Sequence, residues 1–195
     1  PDKPFITSSL QQDAQKSFGF NVKKTMDIAQ KLYENGLITY MRTDSPCVSE
    51  DFQRLLNENI SNEFGQEYYN VPLTKKVKGS QEAHECIRPT DLHTVLSDGY
   101  SDADKKLYNL ILKRTITSHM KPAIYDVCKI KLMNDPTKDI GYYQGQTKSL
   151  SFEGFLKYSG QTVEEKTSFD DIQSCHLIES EIKETESNPP QYYNE

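Results

Sequence analysis

The spacing of apolar residues changes at Pro122, and no other feature constrains the fold as much. Before it, apolar side chains recur every three or four positions; after it, they alternate with polar ones. The upstream part predicts helices joined by short links. Ser8 or Ser9 caps a first helix over Leu10 to Phe18, which Gly19 ends. Asn21 caps a second, with Met26, Ala29, Leu32 and Tyr33 on one face and Gly36 at its C-terminal end. Ser49 opens a third, whose Phe52, Leu55, Leu56 and Ile60 share a stripe before Gly65 stops it. Gln66 to Gly79 is a polar loop. A longer helix from Asp102 to His119 opens on a Ser101/Asp104 capping box and carries Leu107, Leu110, Ile111 and Arg114 along one side. Downstream, Cys128, Ile130 and Leu132 alternate with Lys129 and Lys131, which predicts a half-buried strand. Further strands are expected over 141–147, 149–152 and 176–182, and a polar loop over 158–168. The pattern is α+β: a mainly helical unit over residues 1–122, then a β-rich segment over 123–195.

Composition removes several classes. A chain of 195 residues holds one or two domains with a real core. Its mean hydropathy is −0.75, and no run approaches the ~20 apolar residues of a membrane span. Pro1 in place of Met, and the ending Pro189-Pro190-Gln191-Tyr192-Tyr193-Asn194-Glu195, read as a segment of something longer. Cys47, Cys86, Cys128 and Cys175 form no CxxC pair, so the sequence offers no zinc site and implies free thiols in a reducing compartment. Net charge is −6. Residues 1–125 hold sixteen basic and sixteen acidic side chains, whereas 126–195 hold seven and thirteen, so the whole excess lies downstream. Neither part is a strongly basic duplex binder. A local positive groove with stacking platforms remains open to it, supplied by Lys23-Lys24 or by Lys75-Lys76-Val77-Lys78, the latter reading first as a solvated charge run.

Chemistry concentrates in Gly36-Leu37-Ile38-Thr39-Tyr40-Met41-Arg42-Thr43-Asp44-Ser45. In an extended segment, residues two apart face the same way, so the Tyr40 hydroxyl and the Arg42 guanidinium meet one substrate group. A phosphodiester suits both. A phenol, with a free pKa near ~10, attacks phosphorus only in cationic, fixed surroundings. Arginine brings a permanent charge and a fork matched to two phosphate oxygens. The plainer alternative is a buried aromatic beside a surface arginine. A second stretch, Ser80-Gln81-Glu82-Ala83-His84-Glu85-Cys86-Ile87-Arg88-Pro89-Thr90, gathers His, Glu and Arg ahead of a proline.

These two stretches resemble the type IA DNA topoisomerases, in their bacterial topoisomerase I branch. So do the opening Pro4-Phe5-Ile6-Thr7-Ser8-Ser9-Leu10-Gln11-Gln12 and Gly19-Phe20-Asn21-Val22-Lys23-Lys24-Thr25-Met26. Order and spacing agree over most of residues 4–125 and more weakly beyond. The resemblance implies a winged-helix-like unit carrying the nucleophilic tyrosine, followed by the returning half of a β-rich arch. It implies that Tyr40 cleaves one DNA strand and becomes joined to a 5′-phosphate. A second strand then passes, and resealing without ATP relaxes negative supercoils. Arg42 would grip the scissile phosphate, and His84 would give it a hydrogen bond or proton. A purely structural histidine is the alternative. Thr39, Thr43, Asp44, Ser45, Glu85, Arg88, Lys23 and Lys24 are the expected DNA contacts. Asp44 is expected to brace Arg42 or the turn after it, and for Arg88 phosphate contact and packing stay equally open. Cys86 replaces the family's usual alanine and places a thiol near the site. His93, His119 and His176 match no motif.

The resemblance also implies Mg²⁺, held by an acidic cluster that lies in the family before the point where this chain starts. Asp102 and Asp104 form a DxD pair, but in a helix's first turn acids serve the dipole. The expected partners are single-stranded or negatively supercoiled DNA and the rest of the same polypeptide. The chain itself is expected to be a monomer, inactive alone, in the cytoplasm with DNA. Two other classes compete: a non-catalytic winged-helix-like DNA-binding module, and a tyrosine recombinase or type IB topoisomerase, whose late tyrosine this early one does not match. Met41 stands where the topoisomerase III branch favours proline, and reverse gyrase would need a helicase half. Richness in Asn, Lys, Ile and Tyr hints at an AT-rich bacterium or large DNA virus.

Overall fold

The computed structural model describes residues 1–72, 84–132 and 143–160. Helix α1 (Thr7–Phe18) begins three residues earlier than the serines imply. Ile6 takes the N-cap position, and Ser9 reaches back from inside the first turn, its hydroxyl accepting from the Ile6 amide at 3.0 Å. Gly19, at φ 67°, closes the helix in the left-handed region that favours glycine, and sends Phe20 N–H to the Ala14 carbonyl. Helix α2 (Val22–Glu34) is capped as expected, Asn21 Oδ1 accepting from Lys24 N–H at 2.8 Å. Helix α3 (Glu50–Phe64) buries Phe52, Leu56 and Ile60, but Leu55, expected on the same stripe, is half exposed. A 3₁₀ turn (Gln66–Tyr68) follows. Helix α4 (Asp102–Ser118) has the expected capping box, Ser101 and Asp104 exchanging bonds. Its Arg114 lies on the inner side as expected, over the buried Phe5 ring, and pairs its charge with Asp2 and Asp13.

Strands β1 (Ile124–Leu132) and β2 (Tyr143–Phe152) form one antiparallel pair, with Val127 opposite Lys148 and Cys128 opposite Thr147. Two expectations change here. The separate strands over 141–147 and 149–152 are one continuous strand from Tyr143. The half-buried alternation of β1 is realised only in part: Ile130 is half-buried between the exposed Lys129 and Lys131, but Cys128 is exposed, as are Ile124, Tyr125 and Val127, and the Leu132 side chain lies outside what is described. A short helix α5 (Leu156–Ser159) then occupies the start of the expected loop. The expected strand over 176–182, the Lys75–Lys78 run, Cys175 and His176 lie outside the described residues. Together the elements are α+β, four longer helices with a two-stranded ribbon among the described residues. No described helix is long and apolar enough to cross a membrane.

Two apolar clusters hold the helices. One joins Phe5, Leu10, Leu32, Ile38, Met41, Ile87, Leu107 and Tyr108; the other joins Val48, Phe52, Leu56, Ile60, Tyr68, Cys86, Ile116 and Met120. The chain returning from β2 belongs to the second. Phe152 and Phe155 pack on it, with the Phe152 and Tyr68 rings 4.8 Å apart. Phe155 N–H bonds the Lys121 carbonyl at 2.9 Å. Gly154 makes that return possible: at φ 51°, an added Cβ would fall 2.5 Å from the Lys121 and Pro122 backbone. Residues 37–48 and 86–90 cross from one cluster to the other, since Ile38 and Ile87 belong to the first while Val48 and Cys86 belong to the second. Both sequence motifs therefore lie on the seam.

Candidate active site

The Tyr40 segment is not a strand: the chain bends at Leu37, Thr39, Met41 and Arg42. Leu37 to Thr39 pairs with the second motif: Thr39 N–H bonds the Arg88 carbonyl at 2.9 Å, and Thr90 N–H bonds the Leu37 carbonyl at 3.0 Å. The Thr39 hydroxyl donates to the Cys86 carbonyl at 2.6 Å and accepts from Arg88 N–H at 3.0 Å. The pairing amounts to an isolated bridge between Ile38 and Pro89, so the expected strand stops before Tyr40. From there Thr7, the first residue of α1, holds the backbone. Its N–H bonds the Thr43 carbonyl at 2.9 Å, and its hydroxyl donates to the Met41 carbonyl at 2.7 Å and accepts from Thr43 N–H at 2.9 Å. The period of two survives without a ladder: Met41, Thr43 and Ser45 are buried, while Tyr40, Arg42 and Asp44 are exposed.

Arg42, Asp44 and His84 line an open cleft of about 590 Å³, closed on its far side by Ile6, Thr7, Ser8 and Gln11. The first turn of α1 thus faces the cleft, and it carries no acidic residue to neutralise the positive end of the helix dipole. Tyr40 stands beside this cleft, 40% exposed, with its ring centroid 6.3 Å from that of His84 and 5.3 Å from that of Tyr33. Among the described residues the Tyr40 hydroxyl has no hydrogen-bond partner, and the Arg42 guanidinium has no carboxylate within ion-pair range. The expected brace from Asp44 to Arg42 is therefore not formed; Asp44 is exposed to solvent on the cleft wall. A guanidinium with no ion-pair partner among the described residues, on a cleft beside an exposed tyrosine, is an arrangement suited to a phosphodiester.

Most of the other expected DNA contacts are used inside the protein. Ser45 N–H bonds the Thr43 hydroxyl at 3.1 Å, and Cys47 N–H bonds the Ser45 hydroxyl at 3.3 Å. Glu85 accepts from Ser49 N–H at 2.8 Å, at the start of α3, and forms an ion pair with Arg88. The Arg88 guanidinium lies 3.9 Å over the Phe52 ring, gives a hydrogen bond to the Pro89 carbonyl and is 13% exposed. Of its two open roles, packing is the one the geometry supplies. Lys23 and Lys24 sit in the first turn of α2, and Lys24 lies over Phe20. Lys24 is nine positions before Tyr33 along that helix, a rise of about 13.5 Å, and neither lysine is among the residues that line the cleft. The Cys86 thiol is fully buried, and burial, opposed by Arg88, pushes its pKa up to about 12. It is protonated and inert. His93 is exposed, whereas His119 is buried with Nδ1 at 2.9 Å from the Thr115 carbonyl.

Sequence reasoning passed over two residues at this site. Thr7 was only one residue of the opening motif, and Tyr33 was placed with Met26, Ala29 and Leu32 on one face of the second helix. The signal for Thr7 is only its place in the opening motif, because its partners lie 34 and 36 residues away. Among the described residues no group of three or more His, Cys, Asp or Glu side chains is placed to hold a metal ion. Asp44 and His84 alone do not make a Mg²⁺ site, and no step below runs through one.

Fold and cleft together define an α+β protein that presents a tyrosine, an arginine and a histidine on one open face. The family described as DNA topoisomerase matches residues 1–195. The chain belongs to that family, in its type IA, bacterial branch. It is 42% identical over 173 residues to "DNA topoisomerase 1 type prokaryotic" of Acanthamoeba polyphaga mimivirus, covering 85% of this chain and 20% of that protein. It is 38% identical over 212 residues to DNA topoisomerase 1 of Rickettsia bellii, covering all of this chain and 26% of that protein. The structure of full-length topoisomerase I from Thermotoga maritima superposes with a TM-score of 0.70 at 37% identity, over 87% of this chain and 29% of that one. The chain thus spans between a fifth and three tenths of the length of these relatives.

Proposed function

We propose that Tyr40 is the nucleophile of a DNA topoisomerase reaction carried out by a longer polypeptide of which this chain is part. The Tyr40 oxygen attacks a phosphodiester of single-stranded DNA, forming a bond to phosphorus as the bond to the 3′-oxygen breaks. The phenol proton is lost, the departing 3′-oxygen leaves as a hydroxyl, and the 5′-phosphate stays on Tyr40. Arg42 grips the non-bridging oxygens and offsets charge that grows in the transition state. His84 supplies a hydrogen bond or proton to the same phosphate. One phosphoester replaces another, so the reverse attack by the 3′-hydroxyl reseals the strand without ATP. Strand passage between the two steps relaxes negative supercoils.

The observation that carries this reading is an exposed Tyr40 standing beside a cleft lined by His84 and by an Arg42 that has no ion pair among the described residues. Thr39, Thr43, Ser45, Glu85 and Arg88 then act by holding backbone and packing rather than by touching DNA, and Lys23 and Lys24 bind backbone, if at all, away from the cut. Mg²⁺ serves the reaction from residues elsewhere in the longer protein. The 195-residue chain alone, a fraction of its relatives' length, does not relax plasmid; it is a monomer that works on DNA with the rest of its polypeptide. The test is cleavage of end-labelled single strands by the protein at its natural length. Covalent adducts should carry label on a 5′-phosphate, map to Tyr40, and vanish in Tyr40→Phe with single-strand binding kept. Adducts that persist in Tyr40→Phe, or a 3′-linked product, overturn it.

A further inference from the structure

We infer that Tyr33 is a positioning residue for Tyr40: its ring holds the nucleophile's ring in the orientation from which it attacks. The inference rests on the proposed role of Tyr40 and adds a residue to it. Tyr40 lies on a segment whose backbone is tied down, but its own side chain is 40% exposed and its hydroxyl has no bond among the described residues. Backbone ties do not fix a side chain's torsions, and an exposed tyrosine turns between rotamers. Its ring is restrained instead by ring neighbours. Tyr33 meets it edge to face, with centroids 5.3 Å apart and planes at 65°. Such pairs are orientation-dependent, since the positive edge of one ring faces the negative face of the other.

The site of Tyr33 is itself rigid, and its exposure argues against a core role. It follows Leu32, which is fully buried, and is itself 40% exposed in the last turn of α2. The turn that brings the chain back to Tyr40 is closed by Gly36 N–H on the Tyr33 carbonyl at 2.8 Å and Leu37 N–H on the Leu32 carbonyl at 2.9 Å. The Thr90 hydroxyl, donating to the Gly36 carbonyl at 2.7 Å, ties that turn to the motif that carries His84. Tyr33 and Tyr40 are thus seven residues apart on one stiff turn. Half-exposed aromatic surface is left outside the apolar cluster where a ring contact on the nucleophile is gained.

The test uses the protein at its natural length, with single-turnover cleavage of a labelled single strand at saturating DNA. Tyr33→Ala should slow cleavage by roughly ten- to a hundredfold, the loss expected when a reacting group is misplaced, with DNA affinity kept within about twofold. Tyr33→Phe retains the ring and should restore the rate. Tyr33→Leu fills most of the volume without an aromatic edge and should remain slow, which covers the case of an unstable alanine variant. A fluorotyrosine placed at position 40 alone reads the contact directly: its ¹⁹F resonance should move when Tyr33 becomes Ala or Leu and hold in Phe. Wild-type cleavage rates in both Ala and Leu, or a resonance that ignores position 33, overturn the inference. A wild-type protein that forms no adduct, with the resonance still answering to position 33, instead removes the proposed chemistry and leaves the ring contact standing.

Discussion

Tyr40 and Tyr125 are exposed to nearly the same degree, 40% and 43%, yet the ground beneath them differs. Tyr40 rises from a segment in which Ile38, Met41 and Thr43 are buried, and whose Met41 and Thr43 carbonyls are held by Thr7. Tyr125 stands on a ribbon whose neighbours Ile124 and Val127 are 54% and 47% exposed. An exposed aromatic therefore marks a site only when its neighbours are anchored. In the helical body an exposed side chain is presented; on the ribbon it is left without described packing partners. The energetic contrast follows, because burial of apolar area, not backbone pairing, supplies most of the stability.

Core truncation should separate the two regions most widely. Leu56→Ala removes a fully buried side chain from the second cluster and should cost about 2–5 kcal/mol in denaturant unfolding. A loss under 1 kcal/mol would mean that the clusters do not carry the body. Arg88→Ala, which strips the ion pair with Glu85 and the cover on Phe52, should destabilise by about 1–3 kcal/mol. It should leave the salt dependence of single-strand binding unchanged, whereas Arg42→Ala, removing the proposed phosphate contact, should lower that slope by roughly 0.7. The reverse outcome would exchange the roles assigned to these two arginines.

The pH dependence should also belong to the body. Burial holds His119 below the ordinary histidine range, against the opposing bond to the Thr115 carbonyl. Folding therefore keeps the ring neutral while the unfolded chain takes up a proton as pH falls through ~6.5. Stability should decline below that point, by at most ~1.4 kcal/mol per pH unit for a single proton, and level off once the folded ring also titrates. Replacing His119 with Gln should flatten this stretch of the curve. Asp104 acts in a more acidic window: burial opposes its ionisation, but bonds from Lys31 and Ser101 prevail and hold it low. Smallest of all should be Val127→Ala on the ribbon, within about 0.5 kcal/mol by thermal melting. A larger loss there would show that the ribbon's exposed face is packed after all.

Which elements would form was legible from local rules. Asn21, the Ser101/Asp104 pair and Gly19 act within four residues of themselves, so a reader of the chain sees both partners. Where local rules misplaced something, a distant contact had intervened. Ser9 was read as a cap, but Thr7's bonds to the Tyr40 segment draw the start of α1 forward. Cys128 alternates with lysines as a half-buried strand should, yet it is exposed: burial needs a second layer, and a period of two does not say that one is present. Tyr33 fitted the helical stripe by spacing alone.

By itself, the sequence determined the four longer helices, the Asn21 and Ser101/Asp104 caps, the α+β order, and the closeness of Tyr40 and Arg42 in one run, because these depend on neighbours a few residues away. It also carried enough separated motifs to place the chain among the bacterial topoisomerases. Only the tertiary structure decided which polar residues are free to act. Glu85 pairs with Arg88 and takes the Ser49 N–H at the start of α3, Arg42 has no ion pair among the described residues, and Lys24 ends up at the far end of α2 from Tyr40. The reason is that a charged group's role is set by what lies within a few ångströms of it, and here those partners come from parts of the chain tens of residues away, brought together where the two apolar clusters meet.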